Sequence, residues 1–193
     1  MGKIETWMLD SSQPNALLDN ALAAIEDGDG YRAELDKIRI PIYTTDAQGL
    51  VTYWNQACVD FAGREPQLGS DRWCVTWRLF TLDGDPLPHE QCPMAVAIRE
   101  KRSIRTEVAV AMRPNGSRVA FRPYPTPLFN QAGELSGAIN MLVDVSDEQA
   151  DALSEQAARC RRLANSTDDT AARNILRTMA KGYDDSAASL RHD

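Results

Sequence analysis

Alternating hydrophobic and polar residues near the start of the chain predict a β-hairpin followed by a capped helix. The extended runs Pro41–Thr45 and Leu50–Trp54 flank the polar turn Asp46–Gly49. Asp at the first turn position and Gly at the last favour a tight hairpin connection. Asn55 can then cap a short helix over Gln56–Phe61, because its side chain accepts hydrogen bonds from free backbone N–H groups. A sheet that begins with this unit must be completed by later strands.

Three further strands are predicted in the second half of the chain. Ser103–Arg113 alternates most clearly, and Pro114–Ser117 then forms a turn with the Asn-Gly signal. The strand that begins at Arg118 meets prolines at positions 123, 125 and 127, which lack N–H groups, so its far end should be an edge or a bulge. Glu134–Asp144 is the last strand. Its predicted inward face consists of Leu135, Ile139, Met141 and Val143.

Helical spacing appears at both ends of the chain and once between the strands. Apolar residues at positions 18, 22 and 25 predict a helix that ends at Asp27–Gly30. A second short helix is predicted over Tyr31–Ile38. A third is predicted over Pro93–Lys101, where proline fits the first turn because its missing N–H needs no partner.

The period of the apolar residues changes from 2 to about 3.6 after Asp147. Residues at positions 153, 157, 160 and 164 then form one stripe, and Asn165–Asp168 breaks the helix and offers caps for the next one. The second helix carries the apolar residues Ile175, Leu176, Met179, Tyr183 and Leu190. This tail is interpreted as an antiparallel helical hairpin or as a pair of dimer helices.

Together these elements predict an α+β fold with a five-stranded antiparallel sheet and short helices on one face. An N-terminal helix and a C-terminal helical hairpin flank the sheet. The predicted division is an N-terminal helical extension over residues 1–30, a sheet domain over 31–146 and a helical tail over 147–193.

Composition and charge restrict the classes of function. The chain has a net charge of −7 and a pI near 4.9, which argues against nucleic acid because phosphate binding needs a basic face. No apolar run approaches the roughly 18 residues that span a bilayer, and the N-terminus lacks the apolar segment of a signal peptide. We therefore expect a cytoplasmic protein without membrane contact, whose four cysteines are reduced.

Five motifs follow one another along the chain. They are the hairpin PIYTTDAQGLVTYWN, the segment GREPQLG after the first core helix, the late turn RPNGS, the turn NQAGELSG into the last strand, and Asp144-Val145-Ser146 at its end. With these motifs in this order, residues 31–147 resemble a PAS domain, a family that usually has Asp-Ile-Thr at the position of the last motif.

The resemblance implies a sensor or protein-interaction module that is typically homodimeric and holds a ligand cavity between its sheet and its helices. Binding there would pass along the last strand, through a signal hinge at Asp144, Val145 and Ser146, into the tail. Because no kinase phosphoacceptor region, nucleotide-binding glycine loop or cyclase motif is found, we expect a bacterial, non-catalytic protein that signals through a protein partner of the tail. No triad or paired carboxylates suggest an enzyme.

Several apolar side chains are candidates for lining that cavity, although core packing is the alternative role for most of them. The candidates are Trp54, Trp73, Trp77, Phe80, Met94, Ile98, Val108, Val110, Phe121, Ile139 and Met141.

A metal or haem site is a second hypothesis. His89 lies just ahead of the predicted helix, where haem-binding PAS domains carry an axial histidine, and Cys92 and Cys74 are nearby in the sequence. Their spacing matches no standard zinc pattern, and His89 can instead cap the helix start. The Asn-Cys-Arg-type motif of the flavin-binding subgroup is missing around Cys74. No cofactor is the expected state, with haem or a metal as the alternative.

Three functional interpretations therefore stay open at the level of sequence. They are a PAS sensor that signals through its tail, a redox or gas sensor with a haem or metal, and a structural adaptor without a ligand. The tail itself is a docking surface for another protein, a dimer seam or the inner face of a self-packed hairpin.

Overall fold

The computed structural model describes residues 14–26 and 30–191, and it contains six α-helices and seven β-strands in these segments. The helices are α1 Pro14–Glu26, α2 Tyr31–Leu35, α3 Gln56–Ala62, α4 Pro93–Glu100, α5 Ser146–Ser166 and α6 Thr170–Leu190. The strands are β1 Ile42–Asp46, β2 Val51–Trp54, β3 Arg78–Phe80, β4 Ala109–Met112, β5 Arg118–Pro123, β6 Thr126–Phe129 and β7 Leu135–Asp144.

The strands form one antiparallel sheet in the order β2-β1-β7-β5-β4-β3, and β6 also pairs with β7. The predicted α+β class is confirmed. The sheet has seven strands rather than five, because β3 was not predicted and because the strand after Arg118 is interrupted. β5 and β6 are two parts of that strand, separated at Tyr124 and Pro125. The predicted irregularity at the prolines is therefore present.

The strand predicted over Ser103–Arg113 is wrong in its first half, since β4 contains only residues 109–112. The sequence of the neighbouring strand explains why β4 is shorter than predicted. Extending the β4–β5 ladder would bring this segment opposite Pro123 and Pro125, which cannot donate hydrogen bonds. The Arg105 guanidinium instead donates to the carbonyl oxygen of Pro125 at 3.0 Å and to the Thr126 hydroxyl at 2.9 Å.

The sheet is covered on both faces. On the inner face, α3 and α4 enclose a core that includes Tyr43, Phe61, Met94, Phe121 and Leu142. The opposite, outer face is covered by α1 and by the base of the α5–α6 hairpin. Its buried residues include Leu17, Leu18, Ile42, Val110, Ile139, Met141, Val143, Ala187 and Leu190.

Three β7 residues predicted to face inward are buried, but on the outer face of the sheet. Ile139, Met141 and Val143 point to the outer cluster and not to the face covered by the short helices. Residues 137–143 are all buried, so an alternating pattern cannot distinguish the two faces. The helices that bury the outer face come from the two ends of the chain.

The helical tail is an antiparallel hairpin within one chain. Asp169 caps α6, because its carboxylate accepts hydrogen bonds from Ala171 N at 2.8 Å and from Ala172 N at 3.3 Å. The seam between the helices contains the buried small residues Ala157, Cys160 and Ala180, with Leu176 and Tyr183 packed against them.

The α1 helix is also present as predicted, whereas most of its predicted end, residues 27–29, lies outside the described residues. In the described segments, no helix is long and apolar enough to cross a bilayer.

Candidate functional site: the joint between sheet and hairpin

The predicted hinge is a buried joint where the last strand becomes a helix without a linker. Asp144 ends β7, and Ser146 begins α5. Val145 N donates to the carbonyl oxygen of Ala120 on β5 at 2.9 Å, and Ala120 N donates to Ser146 Oγ at 3.0 Å. Ser146 N donates to Asp144 Oδ1 at 2.8 Å. The first turn of α5 is therefore attached to both central strands of the sheet.

Small side chains bring the hairpin close to the sheet beside this joint. Ala150 of α5 and Ala187 of α6 are fully buried, and they belong to the same cluster as Val110, Ala120 and Leu190. Close packing leaves little room for either helix to move alone, since interiors have few voids. The base of the hairpin is therefore packed directly against the sheet beside the joint.

A cleft of about 210 Å³ opens next to the joint, between the hairpin base and the β3 end of the sheet. The loop Thr81–Gly84 forms one wall, and Leu153 and Leu190 form part of another. The Arg118 guanidinium also lines the cleft and lies 5.1 Å from the centre of the Phe80 ring. The cleft shows that contact between hairpin and sheet is incomplete on this side.

The predicted cavity residues do not converge on one site. Met94, Ile98 and Phe121 lie in the inner core, and Trp54 and Trp73 pack against it. Five others lie on the opposite side of the sheet. These are Phe80, Val108, Val110, Ile139 and Met141. Trp77 is 41% exposed. The set is divided because both faces of the sheet are apolar.

A buried hydrogen-bond chain crosses the inner core and was not predicted. The Tyr43 hydroxyl donates to the carbonyl oxygen of Trp73 at 2.9 Å, and Asn140 Nδ2 donates to the Tyr43 oxygen at 3.0 Å. Asn140 Oδ1 accepts from Tyr124 N at 2.9 Å, at the break between β5 and β6. Burial raises the pKa of Tyr43 well above its usual value, so the phenol stays protonated. The sequence signal that could have predicted this chain is Asn140, an amide side chain within the apolar run of β7, because a buried amide needs hydrogen-bond partners.

A second recess, the polar pocket, lies on the loops around α3 and ahead of α4 and has a volume of about 350 Å³. It is lined by Arg64, Ser70, Asp71, Arg72, Trp73, Cys74, Thr76, Trp77, His89 and Glu90. Arg64 and Asp71 form a largely buried ion pair with an N···O distance of 2.6 Å. His89 Nε2 is buried and has no hydrogen-bond partner among the described residues. Desolvation by burial lowers the pKa of His89, which favours the uncharged imidazole.

The three candidate metal ligands do not form a metal site. Across residues 14–26 and 30–191, no group of three His, Cys, Asp or Glu side chains is placed to hold a metal ion. Cys74 and Cys92 are buried thiols, and burial raises the pKa of Cys92 to about 12, which disfavours the thiolate that metals bind. The Cys74 sulfur already accepts a hydrogen bond from the Thr76 hydroxyl at 3.2 Å.

The same residues do not fit a haem or a flavin. His89 lines the polar pocket at the surface rather than the inner core. The inner core is occupied by the chain's own side chains, among them the Phe61 and Phe121 rings, whose centroids lie 5.4 Å apart edge to face. Neither the cleft nor the polar pocket is lined by Tyr43, Phe61 or Phe121.

Comparison with known proteins defines the family. A family model described as the PAS fold matches residues 35–150, a segment that contains the whole sheet and the joint. The chain therefore belongs to the PAS fold family, whose members are generally sensory and not catalytic. No curated protein matches the chain.

Solved structures similar to this chain include three LOV proteins. The Rhodobacter sphaeroides LOV protein is 15% identical, with 90% of this chain and 96% of that chain covered and a TM-score of 0.46. The light-state dimer of the fungal blue-light photoreceptor Vivid is 17% identical, with coverages of 65% and 92% and a TM-score of 0.44. The LOV domain of a blue-light activated histidine kinase from Erythrobacter litoralis is 18% identical, with coverages of 56% and 97% and a TM-score of 0.43.

Proposed function

We propose that this chain is a cytoplasmic, non-catalytic PAS sensory protein that signals in trans through its helical tail. Its sensor unit spans residues 31–146, and its output unit is the tail of residues 147–193, which contains α6 and all of α5 except its first residue, Ser146. A small molecule or a protein partner is sensed at the sheet domain. The observation that carries the proposal is the joint, where hydrogen bonds connect Ser146 and Val145 directly to Ala120.

The joint provides a physical route for the signal. Ala120 lies in the centre of β5, opposite Val110 of β4, while Phe121 pairs with Asp144 of β7. A shift of any of these three strands changes the position of Ala120 and with it the start of α5. Because α6 is packed along α5, both helices move together, and the far end of the hairpin carries the displacement outward.

The distal half of the hairpin offers a surface for the receiver. Leu163 of α5 is 48% exposed, and Ile175 and Met179 of α6 are 62% and 44% exposed. Ile175 and Met179 are four residues apart and therefore lie on one face of α6, and exposed apolar residues that share a face are typical of interaction sites. We call these three residues the distal apolar surface.

Site-specific photo-crosslinking tests this output role. A photoreactive amino acid is placed at Ile175 in the full chain produced in its native cells, and at Leu68, which is 57% exposed on a loop, as the matched control. We expect one discrete adduct with a second protein from position 175 and none from position 68. The adduct yield should change when Ser146→Ala loosens the joint. Equal adduct yields at positions 175 and 68 would contradict the proposal. An adduct yield at position 175 that Ser146→Ala leaves unchanged would also contradict it.

The same proposal includes a homodimer, which the distal apolar surface supports. Light scattering should then give twice the chain mass of 21.4 kDa. Replacing Ile175 by Asp should shift the protein toward the monomer, whereas replacing Leu68 by Asp should not. A monomer at high concentration contradicts the dimer but leaves the crosslinking test of signalling intact.

A further inference from the structure

We propose that the polar pocket binds an uncharged, planar nitrogen heterocycle of nucleobase size, stacked against Trp77 and hydrogen-bonded by Asp71 and His89. This names a ligand class and a site for the sensing step. The step from binding to output rests on the proposed function, whereas the binding itself does not. Four features of the pocket support the proposal: its walls, its charge, its free hydrogen-bonding atoms and its connection to β7.

The size and the walls of the pocket suit an aromatic ring. Its volume of about 350 Å³ lies within the range of small-molecule sites. Two tryptophans, Trp73 and Trp77, line it, and Trp77 keeps 41% of its surface exposed although tryptophan is usually more buried. The Arg78 guanidinium lies over the Trp77 ring, 4.3 Å from its centre, so one face of the indole is covered and the other is the stacking surface for a flat ring system.

The charges of the lining favour an uncharged ligand. The cations Arg64 and Arg72 are balanced by the anions Asp71 and Glu90, so the formal sum over these four groups is zero. Arg64 is already engaged with Asp71 and with the carbonyl oxygen of Val75 at 3.0 Å. An anion or a cation would disturb this balance, whereas a neutral molecule would not.

One buried polar atom of the pocket wall, His89 Nε2, lacks a partner in the part of the chain that the structure describes. Asp71 Oδ1 is a second, more exposed acceptor, since both Arg64 and the backbone N–H of Gln67 bond to Oδ2. A buried polar atom without a partner costs free energy, which a ligand recovers by bonding to it. Ring N–H and amino groups of a heterocycle are donors in the plane of the ring, which suits acceptors at the pocket wall.

The pocket is connected to the sheet through a strained residue. Trp73 has a φ of 68°, in the left-handed region that a bulky side chain rarely adopts, and such strain is concentrated at functional sites. Its carbonyl oxygen accepts the hydrogen bond from Tyr43, which is bonded in turn to Asn140 of β7. A ligand that moves Trp73 therefore acts on the strand that leads into α5.

Isothermal titration calorimetry of the full chain tests the binding step. The probes are adenine, guanine, cytosine and uracil, with glucose as an uncharged non-planar control and benzoate as a planar anion. We expect at least one heterocycle to bind with neither control binding. Trp77→Ala should weaken that binding by at least about fivefold, because base stacking on an aromatic side chain is worth about 1–3 kcal/mol. Phe129→Ala removes an aromatic residue that is 49% exposed outside the pocket, and it should leave affinity unchanged.

A comparison of two variants decides the role of His89. His89→Leu should weaken binding more than His89→Gln, which keeps a hydrogen-bonding group. Failure of all four heterocycles to bind, binding of a control probe, or equal losses for Trp77→Ala and Phe129→Ala would overturn the proposal. None of these outcomes affects the crosslinking test of the output role, so the two failures are distinguishable.

The connection to β7 is tested with Tyr43→Phe, which removes only the hydroxyl group. The variant should bind the heterocycle with nearly unchanged affinity. Ligand-induced change in amide hydrogen exchange of α5 and α6 should be present in the wild type and lost in the variant. An unchanged response in Tyr43→Phe would show that the signal takes another route.

Discussion

At the scale of single residues, the contact between Gly49 and Trp73 fixes the wall of the polar pocket. Trp73 N donates to the carbonyl oxygen of Gly49 at 2.8 Å. Gly49 has a φ of 84°, and a Cβ atom there would overlap the Trp73 ring. The residue thus satisfies two requirements, a left-handed backbone and close approach of an indole, which only glycine meets together.

We expect Gly49→Ala to be strongly destabilising. Gly84→Ala is the matched control, because Gly84 has a φ of 90° but a Cβ atom there would have no neighbour within 4 Å. Both variants incur the cost of the strained backbone, about 1–3 kcal/mol. Gly49→Ala should lose a further 1–3 kcal/mol or so because Trp73 must move. Urea denaturation measures both values, and equal losses would show that the indole contact has no energetic role.

The partly buried imidazole of His89 predicts a pH dependence of stability. Its pKa is lowered in the folded protein, chiefly by desolvation, so the unfolded chain takes up the proton first as the pH falls. Stability is therefore retained above the unfolded pKa of about 6.5 and decreases as the pH falls below it. Wild type should lose more stability between pH 7.5 and 5.5 than His89→Gln, in which this group does not titrate. Parallel stability curves for the two proteins would contradict the assignment.

At the scale of elements, the hairpin and the sheet fit together through alanines rather than large side chains. Ala187 is 1% exposed against the outer sheet face, and its neighbour Ala188 is exposed. This arrangement leaves no space for a larger residue at position 187.

We expect Ala187→Leu to lower the free energy of unfolding by about 1–3 kcal/mol through overpacking. Ala188→Leu adds the same atoms on the solvent side and should change stability by less than about 0.5 kcal/mol. Chemical denaturation followed by circular dichroism measures both. Similar small effects for the two variants would mean that the hairpin base is not packed against the sheet.

The sequence predicts an element well when the pattern that determines it lies within that element's own residues, and poorly when distant residues determine it. The hairpin around Asp46–Gly49 and the tail helices were predicted because turn residues and helical spacing are properties of short segments. The extent of β4 was not, because the prolines that end its ladder lie in another strand. The predicted cavity residues were divided between two faces, since burial of Ile139 and Met141 depends on α1 and on the tail.

At the scale of the whole molecule, the sheet lies between two helical layers with different tasks. The inner layer of short helices closes a core that contains Tyr43 and Asn140. The outer layer contains α1 and the base of the tail hairpin. The joint at Ser146 is the point where the strand that passes through the centre of the sheet enters the outer layer. We infer that this position allows a local change at the sensor to alter the distal apolar surface.

Hydrogen exchange measured by mass spectrometry tests the coupling of sheet and hairpin most directly. Ser146→Ala removes the acceptor for the buried N–H of Ala120, at a cost of about 1–3 kcal/mol. Ser136→Ala removes an exposed hydroxyl of β7, which bonds to the Leu128 carbonyl oxygen, and serves as the control. We predict faster exchange in α5 and α6 for Ser146→Ala alone, with β1 as protected as in the wild type. Unchanged exchange in α6, or equal acceleration in β1 and α6, would contradict the account.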